Sequence, residues 1–485
     1  MIKVSGDKIK YDKISLINSF LNHVKATPEK IALTYKNKKF SYSKLFSLIK
    51  ILSKKILTRN TNVVVIMQRD VNLPIAVWAL LLSQNTYIPL NNKISKNELL
   101  SILQKLNCNT IITNLDRIKK FKLKRKIKVL FLKKNSYNND KKISNVNLKK
   151  IKKLKDLYII HTSGTTGKPK GIRVSEISLL NRLQWMKNLL DLTKKDNFIL
   201  KTPYTFDVSI WELYLPFFIG STLNVLNDGA HLNQNELNET ISKRNISVIH
   251  FVPTMLDIFQ LYNFKMPLTM KNVICSGEKL SSATVNKFNK LNPDVKLYNF
   301  YGPAETTVDV TYYKCKKKQS SIPIGKICPN VNFVLKSTNS NPNVGELLIS
   351  GIQLSNGYTD KKLNKEKFVF LKRKKFEKFY KTGDLCKYSN GNLYFLKRID
   401  SQIKIYGERF EMDSISNFAI TNKYIDFARC SFKNSKIFLY IKCRENIKKY
   451  DIIKFLKKKF ENKFLPRKIV FLKKIPLNLS GKFDN

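Results

Sequence analysis

Acidic residues are scarce in this chain of 485 residues: Asp and Glu number 35 against 90 Lys and Arg, a formal net charge of +55. Glycine (16) and proline (15) are also few, while Lys, Asn, Ile, Phe and Tyr abound together, a pattern that an AT-biased genome produces. The 7 cysteines stand far apart with no CxxC pair, and their number is odd. That argues against a disulfide scaffold or a zinc site and fits a reducing, cytoplasmic setting. No uninterrupted apolar run approaches the roughly 18–20 residues that span a bilayer, so no membrane partner is expected. The start, Met1 to Lys10, is polar and lacks the apolar segment of a signal peptide.

What is present excludes a disordered basic tail protein, because 43% of the residues are hydrophobic and can build real cores. The charge itself invites a nucleic-acid reading. Its densest block, Arg117 to Lys155, holds 17 basic residues and one acid, Asp140. Elsewhere the basic residues are spread along the chain, as solvated lysines in a biased composition would be. An ordinary enzyme without a nucleic-acid partner is therefore the favoured reading, with an RNA-linked protein as its rival. Strand-length apolar runs (Val63–Met67, Thr86–Ile88, Thr110–Ile112, Leu157–Ile160, Phe198–Lys201, Thr222–Leu226, Val248–Val252, Asn272–Cys275) alternate with helical spacing, for example over Glu176–Leu190. That alternation predicts a parallel α/β sheet. Beyond about residue 320 short strand patterns dominate, and a final α/β segment runs from Ile415 to the end.

Five segments carry chemistry. Thr162-Ser163-Gly164-Thr165-Thr166-Gly167-Lys168-Pro169-Lys170-Gly171 follows a predicted strand. Its glycines permit close backbone approach, and its hydroxyls and lysines suit anionic oxygen, so it reads as a phosphate-cradling loop without Walker spacing. Composition alone leaves a flexible surface loop as the alternative. The others are Tyr301-Gly302-Pro303-Ala304-Glu305-Thr306-Thr307, Tyr380-Lys381-Thr382-Gly383-Asp384-Leu385, the stretch Lys397 to Gly407, and Pro476-Leu477-Asn478-Leu479-Ser480-Gly481-Lys482-Phe483-Asp484.

Together, and in this order, the five resemble the motifs of the adenylate-forming superfamily, which includes acyl-CoA synthetases, luciferases and nonribosomal peptide synthetase adenylation domains. The resemblance covers nearly the whole chain. It implies an α/β fold: a large domain of distorted β-sheets flanked by helices over residues 1–399, and a small mobile α+β domain over 400–485. It also implies ATP and Mg²⁺ as cofactors. Glu305, a hard oxygen ligand, is assigned to Mg²⁺. Asp384 is assigned to the ribose hydroxyls, Tyr301 and Gly302 with Asn299 to adenine, and Arg398 to ribose or phosphate oxygens. Residues Thr162 to Gly167 with Lys170 hold phosphate, Thr165 among the catalytic groups. Lys482 resembles the mobile lysine that bridges the substrate carboxylate and the α-phosphate.

Phe206-Asp207-Val208-Ser209-Ile210-Trp211-Glu212 resembles the FDxSVWE segment of amino-acid-activating domains. Asp207 would pair with an α-ammonium, which a fatty acid lacks, and Trp211 weighs against D-alanine:carrier-protein ligases. Carried over by spacing, Asp207, Val208, Trp211, His250, Ile274, Ser276, Phe300, Val308, Asp309 and Lys482 fall at the specificity positions and resemble the serine-type set. Trp211 and Phe300 would leave a short pocket. His250, Ser276 and Asp309 would face a small hydroxyl; an apolar substrate would leave them unpaired, at about 1–3 kcal/mol per buried group. L-Serine and ATP are thus the expected substrates. The expected acceptor is a phosphopantetheine thiol on a separate, acidic carrier protein, because the chain stops soon after Lys482. Asp400 is the expected hinge for a rotation that would replace Lys482 by the Lys404–Gly407 segment. Four residues depart from the family pattern: Lys397, Tyr406, and Gln84-Asn85 where a Gly pair is expected before Tyr87. Other ligases of the superfamily remain the nearest alternative.

Overall fold

A computed structural model describes residues 2–12, 14–123, 126–132, 154–162, 169–337, 341–372, 376–399, 402–405, 408–433, 436–443 and 447–473. The chain divides into two compact units, Met1–His161 with Gly171–Leu396, and Thr162–Lys170 with Lys397–Asn485. The phosphate-loop residues Ser163 to Gly167, the hinge residue Asp400, the terminal Lys482 and much of the basic block lie outside the described residues.

Among the described residues, the large unit is built on three sheets of nine, seven and six strands. In the nine-stranded sheet the strands Asn197–Leu200, Val248–Phe251, Asn272–Cys275 and Lys296–Tyr301 run parallel in that spatial order. The seven-stranded sheet pairs Asn62–Ile66 in parallel with Thr86–Pro89 and Thr110–Thr113. These are the continuous β-branched runs of the sequence. A strand covered on both faces needs apolar residues at every position, not at alternate ones. The six-stranded sheet is antiparallel and contains Val344–Gly351 and Phe376–Ser389, the region of short strand patterns.

The helix Glu176–Leu189 is among the most informative elements. Ser175 caps it by accepting from the Ser178 amide at 3.3 Å. Its buried residues lie on every side and include polar ones, so it shows no amphipathic stripe. Two of those polar groups are satisfied within the unit: Asn181 Nδ2 donates to Gln353 Oε1 at 2.8 Å, and Ser178 Oγ to the Ile352 carbonyl at 2.9 Å.

Where the expected Gly pair is missing, Gln84 adopts φ +58°, the left-handed conformation that glycine favours. Asn85 fixes the turn. Its Oδ1 accepts from the Thr61 amide at 3.1 Å, and its Nδ2 donates to the Thr58 and Ser83 carbonyls at 2.7 and 3.1 Å. The side-chain amide thus replaces glycine's freedom with hydrogen bonds.

The second unit contains the antiparallel pair Ile425–Lys433 and Lys436–Cys443, extended in parallel by Lys468–Phe471. The helices Met412–Ile420 and Lys449–Leu456 complete its core around Ile415, Leu439, Ile441, Ile452 and Leu456. All 7 cysteines carry free thiols. Among the described residues no helix is long and apolar enough to cross a membrane.

Candidate active site

Three neighbouring parallel strands bring the pocket residues together. Register aligns His250 with Ile274 and Ile274 with Tyr298. Side chains alternate along a strand, so His250, Ile274, Ser276, Tyr298 and Phe300 fall on one face near the carboxyl ends. In open α/β sheets ligands bind beyond those ends. His250 is buried, and its Nε2 lies 2.9 Å from Ser276 Oγ. Burial, reinforced by the charges of Lys201 and Arg182, holds the imidazole pKa well below its ordinary value. His250 is therefore neutral at physiological pH, one ring nitrogen a donor and the other an acceptor. Trp211, Ile274, Phe300 and Val308 share one buried apolar cluster. The Trp211 Nε1 is buried and has no hydrogen-bond partner among the described residues.

Asp207 stands at the start of the helix Val208–Phe218, and its carboxylate makes no capping bond to that helix. The cap alternative is thereby removed. The nearby loop is held by Glu212, which accepts from the Lys201 and Thr202 amides at 3.1 and 3.0 Å and from Thr202 Oγ1 at 2.6 Å. Burial raises the Glu212 pKa, and burial lowers that of neighbouring Lys201 to about 8.

A second cluster surrounds the strand end at Tyr301. The Tyr301 hydroxyl donates to Asp384 Oδ2. Asp384 is buried, and its amide donates to Thr382 Oγ1 at 3.0 Å, while Gly383 before it has φ +72°. Asn299 Nδ2 donates to the Pro323 carbonyl at 2.8 Å, which identifies Oδ1 as the acceptor end of the amide. Glu305 is 1% exposed, and its Oε1 accepts from the Tyr358 hydroxyl at 2.5 Å. Tyr380 Oη lies 3.4 Å from that hydroxyl.

The segment 302–309 joins the two clusters and is tightly constrained. Thr307 and Val308 take φ +62° and +73° in succession, a costly conformation for β-branched residues. Gly302 makes it possible, because a Cβ there would lie 2.4 Å from the Val308 carbonyl oxygen and 2.6 Å from Asp309 Cα. Both obstacles are backbone and cannot rotate aside. Gly302→Ala is expected to cost about 1–3 kcal/mol of stability and to raise KM for both substrates at once. Thermal denaturation and substrate titrations check this.

Asp309, expected to face the substrate hydroxyl, is engaged otherwise: its Oδ2 accepts from Arg182 Nη2 at 2.6 Å, with both side chains buried. Thr162 ends the strand Tyr158–Thr162, Lys170 begins Lys170–Val174, and Arg398 ends Asn392–Arg398; all three belong to the second unit. Sequence reasoning missed Arg182, Glu212 and Tyr358. Glu212 lies inside the quoted FDVSIWE stretch, but nothing in the string alone shows which amides it accepts.

The large unit thus holds a carboxylate bonded to a tyrosine at Asp384 and Tyr301, a buried glutamate at Glu305, and the buried His250–Ser276 pair. The family model described as AMP-binding enzyme matches residues 20–359. The chain is 32% identical to zwittermicin A synthase ZmaJ of Bacillus cereus, over 96% of this chain and 93% of that one. It is 28% identical to gramicidin S synthase 2 of Brevibacillus brevis over 100% of this chain, but spans only 11% of that protein's length. The fold matches that of the Vibrio cholerae adenylation domain AlmE with a TM-score of 0.83 at 22% identity, covering 98% and 97% of the two chains. The chain belongs to the AMP-binding enzyme family. It is an ATP-dependent ligase of the nonribosomal-peptide-synthetase adenylation type.

Proposed function

We propose that the protein activates L-serine with ATP, giving seryl-AMP and pyrophosphate, and then passes the seryl group to a phosphopantetheine thiol of a separate carrier protein. The observation that carries the substrate assignment is the buried His250–Ser276 pair, 2.9 Å apart, with Ile274 in register beside His250 and in the same apolar cluster as Trp211, Phe300 and Val308. A neutral imidazole paired with a hydroxyl offers both a donor and an acceptor to a side-chain OH. A hydroxyl would use the hydrogen-bonding capacity the pair has left, which a purely apolar side chain would not.

In the first half-reaction a serine carboxylate oxygen attacks the α-phosphorus, and the bond to the pyrophosphate oxygen breaks. Asp207 binds the α-ammonium, and Lys482 neutralises the carboxylate and α-phosphate oxygens as charge shifts between them. Asp384 holds the ribose, with Tyr301 fixing its carboxylate. The Oδ1 of Asn299 accepts from the adenine amino group, and Thr162 to Gly167, Lys170 and Arg398 serve phosphate and ribose oxygens. In the second half-reaction rotation about Asp400 withdraws Lys482. The thiolate then attacks the carbonyl carbon, and AMP leaves with the bonding electron pair.

Glu305 fits Mg²⁺ that arrives with the nucleotide. Among the described residues no cluster of three His, Cys, Asp or Glu forms a resident metal cage, and Mg²⁺ with phosphates needs only one or two protein carboxylates. When bound, Mg²⁺ offsets phosphate charge; Tyr358 keeps Glu305 oriented for it. The free thiols support a cytoplasmic setting. The net charge of +55 suits docking of an acidic carrier.

ATP–pyrophosphate exchange across the amino acids, with fatty and aryl acids as controls, tests the assignment. Serine is expected to give the strongest exchange by about tenfold or more. Absence of serine-dependent exchange refutes it, and exchange with a fatty acid instead would move the protein to the acyl-CoA ligase branch.

A further inference from the structure

The pairing of Asp309 changes what the pocket can select. An aspartate at the end of a short pocket would, alone, suit an amino acid with a cationic side chain. Here Asp309 Oδ2 is bonded to Arg182 Nη2 at 2.6 Å, and the side chains are 3% and 0% exposed. The guanidinium is always charged, so the pair contributes no net charge to the pocket. It is also fixed in place. The Arg182 Cζ lies 4.7 Å from the Trp185 ring centroid and 5.5 Å from that of Phe300, itself a pocket wall. Trp185 and Phe300 pack with centroids 5.1 Å apart. Arg182 and Trp185 are three residues apart on the buried helix Glu176–Leu189, so helix geometry sets the stack.

Two further facts tie Arg182 to the substrate site. Its Nε and Nη1 are buried and have no hydrogen-bond partner among the described residues. Buried guanidinium N–H groups are costly to leave unmade, so donors remain here for an oxygen. The Arg182 charge also reaches His250 and helps to keep that imidazole neutral. The charges near the pocket thus include Asp207, assigned to the α-ammonium, the buried Lys201 with its neighbour Glu212, and the balanced pair Arg182–Asp309.

We propose that Arg182 is a positioning residue that sets side-chain selectivity: by pairing with Asp309 it makes the pocket accept a neutral, oxygen-bearing side chain and reject a cationic one of the same size. This rests on the reading of the site as an amino-acid pocket, but not on serine being the best substrate. Removing the cation while keeping the volume should leave Asp309 to attract an ammonium.

The test is ATP–pyrophosphate exchange by the full chain with L-serine, L-2,3-diaminopropionate and L-2,4-diaminobutyrate. Four proteins are compared: the natural chain, Arg182→Met, Arg182→Lys, and the double variant Arg182→Met with Asp309→Asn. The natural chain should discriminate strongly against both diamino acids. In Arg182→Met the preference for serine over the better diamino acid, taken as a kcat/KM ratio, should fall by about tenfold to a hundredfold. Most of the change should lie in KM. Arg182→Lys should retain most of the preference, because it keeps the charge. The double variant buries no lone charge, so it should fold where the single variant does not, and it should again exclude the diamino acids. An unchanged preference in Arg182→Met, or diamino-acid exchange gained by the double variant, would overturn the proposal. If the natural chain fails to use serine, the serine assignment falls. Gain of diamino-acid exchange in Arg182→Met would then still uphold the role of Arg182, and no gain would overturn it as well.

Discussion

Lys482→Ala is expected to slow seryl-AMP formation by about 10²–10³-fold, the usual consequence of removing one preorganised group from a developing anion. Transfer of the seryl group from added seryl-AMP to a carrier thiol should remain close to that of the natural chain. The asymmetry follows from the charges. In adenylation, a carboxylate oxygen and an α-phosphate oxygen approach one another, and both are negative. A point cation on a long stem can bridge them. In thioester formation the reacting carbonyl is already esterified, and the proposed rotation about Asp400 has taken Lys482 away. Exchange assays measure the first half-reaction, and single-turnover loading with synthetic adenylate measures the second. Equal loss in both would contradict the rotation and return Lys482 to a structural role.

Asp207→Asn should lower kcat/KM for the amino acid by about 10²–10³-fold, in line with the loss of one partner from a desolvated ion pair, with KM for ATP little changed. The substitution keeps shape and removes only charge. Asp207 makes no capping bond to the helix that follows it. The loss should therefore not be one of helix stability. The decisive comparison uses 3-hydroxypropionate, which is serine without its ammonium. The natural chain should prefer serine strongly, and Asp207→Asn should lose most of that preference. A uniform fall for both acids would assign Asp207 to the scaffold instead.

Much of the site was legible because the chemistry and the strand period coincide. Ile274 with Ser276, and Tyr298 with Phe300, are two apart on adjacent strands, so one face of the sheet can be read directly from spacing. Strand positions were legible because continuous apolar runs need no tertiary context. Arg182 was not legible. It sits in a helix whose buried residues include both polar and apolar ones, and its partner is 127 residues away. The pairing of Asp309 was not legible for the same reason, since a polar residue in the sequence gives no sign of which distant side chain binds it. At Gln84-Asn85, where a Gly pair was expected, Gln84 adopts a left-handed conformation and Asn85 fixes the turn by hydrogen bonds, neither of which the residue types alone reveal. Composition also misled less than its size suggests. The buried acids Asp70, Asp156, Asp196, Glu212, Glu305, Asp309 and Asp384 all have hydrogen-bonding partners, so a drift toward lysine has left the committed carboxylates in place.

The short run from Asn299 to Asp309 supplies adenine, Mg²⁺ and side-chain contacts in the proposed assignment, through a backbone that Gly302 and two left-handed residues hold rigid. For anyone recombining such enzymes, this is an indivisible cassette. A crossover placed inside it would join one parent's nucleotide grip to the other's pocket across a turn that neither sequence evolved to close. A crossover on either side would carry both recognition functions together.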